Sequence, residues 1–250
     1  FIKPLTSHLW AKRFGNKGFI VKDQKELVET MSRVFPTGLE VMVQSIMVPP
    51  SKDLYSVGAY FGRDGYISPT ITWHKIRQCP PNFGVGSLVE SAHQPEVERL
   101  GLRYLKGLGY HGIGYVEFKK DQRDGIWKMV ELNARTGQTN ALQEAAGMPL
   151  ALIAYRDLTG GDLSGFKGYK DGVLWWNGLD DLDSYWRLKG RGEILFGDWL
   201  RSWVGSEVHA YYAPDDIKPA VRRYEYGIGF ARKGVALLRM REDEDVVQGL

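Results

Sequence analysis

The chain has 250 residues, 43% of them hydrophobic, enough to bury a substantial core in one or two lobes. Its formal charge of +3 is too small, and its Lys and Arg too evenly spread, to point to a nucleic-acid partner, and no run approaches the roughly 20 apolar residues of a membrane helix. The opening FIKPLTSHLW lacks the order of a signal peptide, and the single cysteine, Cys79, excludes an intrachain disulfide, which together predict a reducing, cytoplasmic setting.

FIKP reads as a buried strand ended by proline. Lys12, Arg13, Gly15, Asn16, Lys17 and Gly18 then predict a basic, flexible loop before FIVKD resumes strand character, an arrangement able to fold over polyphosphate. Asp23 and Glu26 form an aspartate version of the capping box, so a helix is expected from Asp23 to Phe35 with Leu27, Met31 and Val34 on its apolar face. Pro36 and Gly38 end it. LEVMVQSIMV reads as a buried strand, and Pro49, Pro50 and Ser51 as a turn before Asp53.

YSVGAYF and YISPTITWH, joined by Arg63, Asp64 and Gly65, predict a hairpin. The next stretch, HKIRQCPPNFGVGSLVES, is punctuated by glycine and proline and is expected to hold Lys75 and Arg77 above the sheet, with Cys79 structural. Neither GVGS nor GDLSGFK completes a nucleotide motif: the first falls short of the dinucleotide fingerprint and the second lacks the P-loop spacing and ending. A second helix is expected from Gln94 to Leu108, with Pro95 in its first turn, Val97, Leu100, Tyr104 and Leu108 on one face, and Gly109 at its end.

The most informative stretch follows. Ile113 to Lys119 and Ile126 to Asn133 read as two strands around a turn containing Asp121, Asp124 and Gly125. Alternation puts Glu131 and Asn133 on one face, and folding about residues 123 to 124 brings Glu117 nearly opposite Glu131. Two carboxylates so placed need a cation, a proton or an arginine between them, and carboxylate and amide oxygens suit magnesium. Arg135, two residues beyond Asn133, offers a planar fork suited to phosphate or carboxylate. By spacing alone an amphipathic hairpin with solvated glutamates accounts equally well for the pattern.

Residues 138–146 and 149–158 predict two helices split by Gly147 and Pro149. Beyond Gly160, glycine-rich connections alternate with short helices whose Tyr185, Trp186, Trp199 and Trp203 read as core. Ala231 to Leu250 suggests a last helix with a solvated, charged end. The five histidines show no metal-ligand spacing.

Glu117, then Glu131, Asn133 and Arg135 within ELNAR, resemble the metal-binding hairpin of the ATP-grasp superfamily, and the resemblance extends over about residues 1–160. It implies an α/β (α+β) fold of two lobes with antiparallel sheets that hold ATP between them. A small lobe would run over 1–43, a large lobe with the magnesium hairpin over 44–160, and a helical, aromatic-rich extension over 161–250. The resemblance further implies Glu117, Glu131 and Asn133 as ligands of Mg²⁺, and Lys3 of the K-P strand on the nucleotide phosphates, with Lys17 the loop candidate. Gln44, Ser45, Ile46 and Met47 would hold adenine, Asp53 would accept from the ribose hydroxyls, and Lys75 with Arg77 would face phosphates or acceptor. Arg77 and Arg135 are the expected catalytic residues.

The activity implied is an ATP-dependent ligase joining a small-molecule carboxylate to an amine, or a thiol, through an acyl phosphate. An ATP-grasp kinase acting on a hydroxyl, or a non-catalytic glycan- or protein-binding module, are the alternatives. Such ligases usually carry a further domain before the K-P strand, and the chain opens directly on that strand without an initiating methionine. An additional N-terminal domain is therefore expected.

Overall fold

The computed structural model describes residues 1–47, 53–206 and 208–232. The chain divides into two compact units, one of Phe1–Ile46 with Tyr224–Leu250 and one of Met47–Arg223.

In the first unit β1 (Ile2–Pro4) pairs antiparallel with β2 (Val41–Val43), setting Lys3 opposite Met42. The amino group of Phe1 donates to the Gln44 carbonyl at 2.6 Å and the Gln44 amide donates back to Phe1 at 3.0 Å, so the ladder runs one residue past β2. Helix α1 (Ser7–Phe14) stops at Gly15, whose φ of 77° lies in the left-handed region that glycine adopts without a side-chain penalty. Helix α2 (Gln24–Val34) starts as expected: the Asp23 carboxylate accepts the Glu26 amide at 2.8 Å, and Glu26 accepts the Lys22 amide at 2.9 Å. Ile2, Trp10 and Val34 are fully buried and collect Phe14, Phe19, Leu27 and Met31 around them.

The basic loop is shorter than Lys12 to Gly18, because Lys12 and Arg13 belong to the last turn of α1, a helix anchored by buried Trp10. The Trp10 indole donates to Asn16 at 2.8 Å and so ties the remaining turn down, while FIVKD contributes a single bridge, Ile2 to Phe19. In LEVMVQSIMV, expected as a buried strand, the strand among the described residues covers Val41–Val43, and Met42 and Val43 stay about half exposed because β2 pairs with β1 alone.

The second unit is a seven-stranded sheet in the order β7-β6-β3-β4-β5-β8-β9, formed by β3 (Leu54–Phe61), β4 (Ile71–Cys79), β5 (Val85–Ser91), β6 (Gly112–Asp121), β7 (Ile126–Asn133), β8 (Leu174–Trp176) and β9 (Val208–His209). All neighbours are antiparallel except β8 and β9. Strand alternation divides β3 between two cores. Tyr60 meets Ile71, Trp73 and Val89 under α4 (Asn140–Ala145) and α5 (Leu150–Thr159). Val57, Ala59 and Phe61 point the other way, to Val97 and Leu105 of α3 (Pro95–Gly107). Each buried Leu, Ile or Val contributes about 1.5–3 kcal/mol.

Helix α3 confirms its predicted span but presents a shifted face. Leu108 is 54% exposed, whereas Gly101 and Leu105 are buried, and a Cβ at Gly101 would come within 2.1 Å of the Val57 side chain. Val85 to Ser87 of the GVGS stretch begin β5, which returns beside β4 as far as Cys79. Residues 161–223 fall in the second unit, to which they add β8, β9, α6 (Gly178–Gly190) and α7 (Phe196–Trp203). The division between the two units falls after Ile46. Helix α8 (Lys218–Arg232) is the last described element; the rest of the expected helix to Leu250, and the Pro49-Pro50-Ser51 turn, lie outside the described residues. Among the described residues no helix is long and apolar enough to cross a membrane.

Candidate active site

The β6–β7 hairpin is fixed at its turn. The Asp121 carbonyl accepts the Gly125 amide at 2.7 Å, with Gly125 at φ 69° as such a turn requires. The Asp121 carboxylate accepts from the Arg123 amide and guanidinium and from Lys128, which also reaches Asp124. From this turn the ladder pairs Asp121 with Ile126 and Phe118 with Met129, and then a bulge takes up one residue so that Glu117 meets Glu131 and Tyr115 meets Asn133. Continued without the bulge, the same register would set Val130 against Glu117 and turn Glu131 to the other face.

Directly opposed carboxylates about 5 Å apart repel by roughly 3 kcal/mol at an effective dielectric of about 20. The structure answers this with a lysine. Lys75, on β4, lays its Nζ at 2.9 and 2.8 Å from the two oxygens of Glu117, and the side chains are only 12% and 7% exposed. Asn133 donates its amide to Glu131 at 2.9 Å. Tyr115 completes the group: burial raises its hydroxyl above the ordinary tyrosine range, Glu117 and Glu131 raise it further, and a hydrogen bond and charge from Arg135 oppose them. Arg135 itself lies just past β7, exposed, with Nη1 donating to the Thr136 carbonyl at 3.1 Å.

Lys75, Tyr115, Glu117, Glu131, Asn133 and Arg135 therefore form one group on one end of the sheet. Among the described residues no three His, Cys, Asp or Glu side chains are grouped to hold a metal ion. What is offered is two carboxylates and a neighbouring amide. That set fits magnesium, which is usually held by one or two carboxylates, keeps several waters and takes its remaining ligands from substrate phosphates.

Arg77 does not join this group. Its guanidinium makes a two-pronged pair with Asp181 of α6, at 2.8 Å from Nε and 2.9 Å from Nη2, and Asp181 also accepts from Ser87 at 3.0 Å and from the Trp199 indole at 2.8 Å. Both partners are buried. The K-x-R spacing suggested a shared face, but β4 shifts register on both sides of Arg77, which breaks the alternation that spacing assumes. Arg77, expected as a catalytic residue, is in this structure a buried tie between β4, β5, α6 and α7. Cys79 is structural as expected: its thiol donates to Asp183 at 3.2 Å, and burial with that carboxylate pushes its pKa well above the usual thiol range.

Lys3 sits on β1, half-buried, and Lys17 is exposed in the turn after α1. Gln44 spends its main-chain donor and acceptor on Phe1. Asp53 adopts a left-handed φ of 53°, and its carbonyl accepts the Lys120 amide at 3.1 Å. Sequence reasoning missed Lys119, which is buried, donates to the Met47 carbonyl at 2.9 Å and has its pKa lowered to about 8 by burial. It stands two residues from Glu117, so strand alternation contained the signal. Tyr115 was equally legible, two residues on the other side.

No family model matches the chain. Over 145 residues, 56% of its length, it is 22% identical to a D-aspartate ligase of Enterococcus faecium. The resemblance is to the ATP-grasp superfamily. The match takes in 34% of that ligase, so the chain spans about a third of the relative. Among solved structures, the ADP complex of an N5-carboxyaminoimidazole ribonucleotide synthetase is 15% identical over 76% of this chain and 49% of that one, with a TM-score of 0.49. The corresponding synthetase of Thermus thermophilus is 16% identical over 69% of this chain and 50% of that one, with a TM-score of 0.45.

Proposed function

We propose that the chain is the catalytic region of an ATP-grasp ligase that joins a small-molecule carboxylate to an amine, or a thiol, through an acyl phosphate. The observation that carries this reading is the pairing of Glu117 with Glu131 beside Asn133 and Lys75, within a sequence similar to a D-aspartate ligase. Glu117, Glu131 and Asn133 are the oxygen ligands. Held there, Mg²⁺ supplies charge neutralisation for the nucleotide phosphates. Lys3 and Lys17 serve the phosphates, Ser45 to Met47 serve the adenine, and Asp53 serves the ribose.

Arg135 is assigned to the reacting carboxyl group, where a planar fork stabilises both the transferring phosphoryl group and the oxyanion formed when the amine attacks. Tyr115, whose hydroxyl interacts with Arg135, is assigned the role of positioning it. Arg77, buried against Asp181, is left out of the chemistry.

Hydroxylamine trapping tests the reading. Incubation with ATP, magnesium and a panel of amino-acid and dicarboxylic acids should yield a hydroxamate from at least one acid. A stable phosphorylated alcohol with no hydroxamate would replace the ligase with a kinase on the same fold. Calorimetry without heat of binding for Mg-ATP, on folded protein, would remove both.

A further inference from the structure

Lys75 grips Glu117 through both carboxylate oxygens, in a setting where neither side chain has much access to water. The contact occupies the edge between the two oxygens of the carboxylate that directly opposes Glu131. A divalent cation bound by Glu117 must therefore share that edge with an ammonium group or displace it. Sharing sets two positive charges on one carboxylate. Displacement leaves a largely buried lysine without its anion, and removing one partner of a buried pair is costly.

We infer that Lys75 is an internal counter-cation that competes with the divalent metal for Glu117 and makes tight metal binding conditional on nucleotide. The inference rests on Glu117 being a metal ligand, as proposed above. Its physical basis is that the phosphates bring the anionic charge the displaced ammonium needs. With them present, Lys75 exchanges Glu117 for a phosphate oxygen, and Glu117 becomes available beside Glu131 and Asn133. Metal and nucleotide then assist each other by the same factor, as linkage requires. In their absence the lysine also offsets the repulsion between the two glutamates. A methionine at position 75 would keep much of the stem's packing and remove the competitor.

Mn²⁺ serves as the probe, with its free concentration read by electron paramagnetic resonance. Titrations are run with and without a non-hydrolysable ATP analogue on the wild-type chain, Lys75→Met, Lys75→Arg and Glu117→Gln. The wild type should bind Mn²⁺ at least about tenfold more tightly with the analogue than without it, a factor in the ordinary range of coupling between sites. Lys75→Met should bind Mn²⁺ without nucleotide about tenfold more tightly than the wild type, and the advantage conferred by the analogue should shrink accordingly. Lys75→Arg, which keeps the charge and a two-pronged grip, should retain the wild-type coupling.

Equal Mn²⁺ affinities of wild type and Lys75→Met without nucleotide would overturn the inference. So would a wild type that binds Mn²⁺ equally well with and without the analogue, a result that stands even if Lys75→Met fails to fold. If Glu117→Gln binds Mn²⁺ as the wild type does, the metal-site reading itself falls. If Glu117→Gln loses Mn²⁺ while Lys75→Met matches the wild type, only the competition is wrong.

Discussion

Glu117 and Glu131 stand directly opposite one another because a bulge between Glu117 and Phe118 takes up one residue of the β6–β7 ladder. The pair concentrates negative charge that a cation must offset, and this is where the chemistry proposed for the chain begins. Glu131→Gln keeps the side-chain shape, removes one charge and relieves the repulsion. It should abolish magnesium-dependent turnover while leaving the thermal midpoint unchanged or higher. Turnover and a melting curve on the same preparation decide it, and wild-type turnover would take Glu131 out of the site.

Arg135 separates a catalytic site from a simple nucleotide pocket. Arg135→Lys keeps the charge and loses the fork, so kcat should fall by about 10²-fold, as on removal of an oxyanion donor, with ATP affinity within a few fold. Tyr115→Phe removes the hydroxyl that interacts with Arg135 and should show the same split at smaller size. The assignment fails if either variant raises the ATP dissociation constant strongly and spares kcat.

The Arg77–Asp181 pair is predicted to act on stability rather than on turnover. Asp181→Ala leaves a buried guanidinium, and the Ser87 and Trp199 donors, without their acceptor, which should cost about 3–5 kcal/mol in urea unfolding. Arg77→Lys should lose less, because the charge remains. A variant at Arg77 with wild-type stability and no activity would return this residue to the catalytic list.

Lys3 is carried by a paired strand and Lys17 by an exposed turn. A preorganised lysine gives up less freedom on binding, so Lys3→Ala should weaken ATP binding more than Lys17→Ala does. Isothermal titration of the two variants ranks them directly. Equal affinities would show that the strand confers no advantage.

Acid sensitivity should originate partly at the hairpin turn. Hydrogen bonds from Arg123 and Lys128 hold the Asp121 carboxyl well below its ordinary range. A carboxyl whose folded pKa is depressed binds fewer protons than in the unfolded chain. Its stabilising contribution is therefore complete above the unfolded value of about 4 and is lost as pH falls through the folded one. Asp121→Asn should be less stable than wild type at pH 7, and the gap should narrow progressively from about pH 5 to pH 2. Chemical denaturation across that range measures it; a gap that does not change with pH would place the effect in packing instead.

The sequence alone was enough to locate the two strands, the turn between them and the shared face of Glu131 and Asn133, because strand alternation and turn chemistry are local rules. The start of α2 and the span of α3 were legible for the same reason: a capping aspartate and a first-turn proline act within one turn of helix. What it did not contain was the bulge, which keeps Glu131 on the face of Glu117 through hydrogen bonding between strands rather than through any residue in the turn. Nor did it contain the partners of the two β4 cations. Lys75 and Arg77 look equivalent in the chain, yet one reaches across β3 to Glu117 and the other turns to Asp181, which lies 104 residues downstream. A buried charge goes to whichever opposite charge the packing brings within hydrogen-bonding reach, and only the assembled sheet and its helices decide which that is.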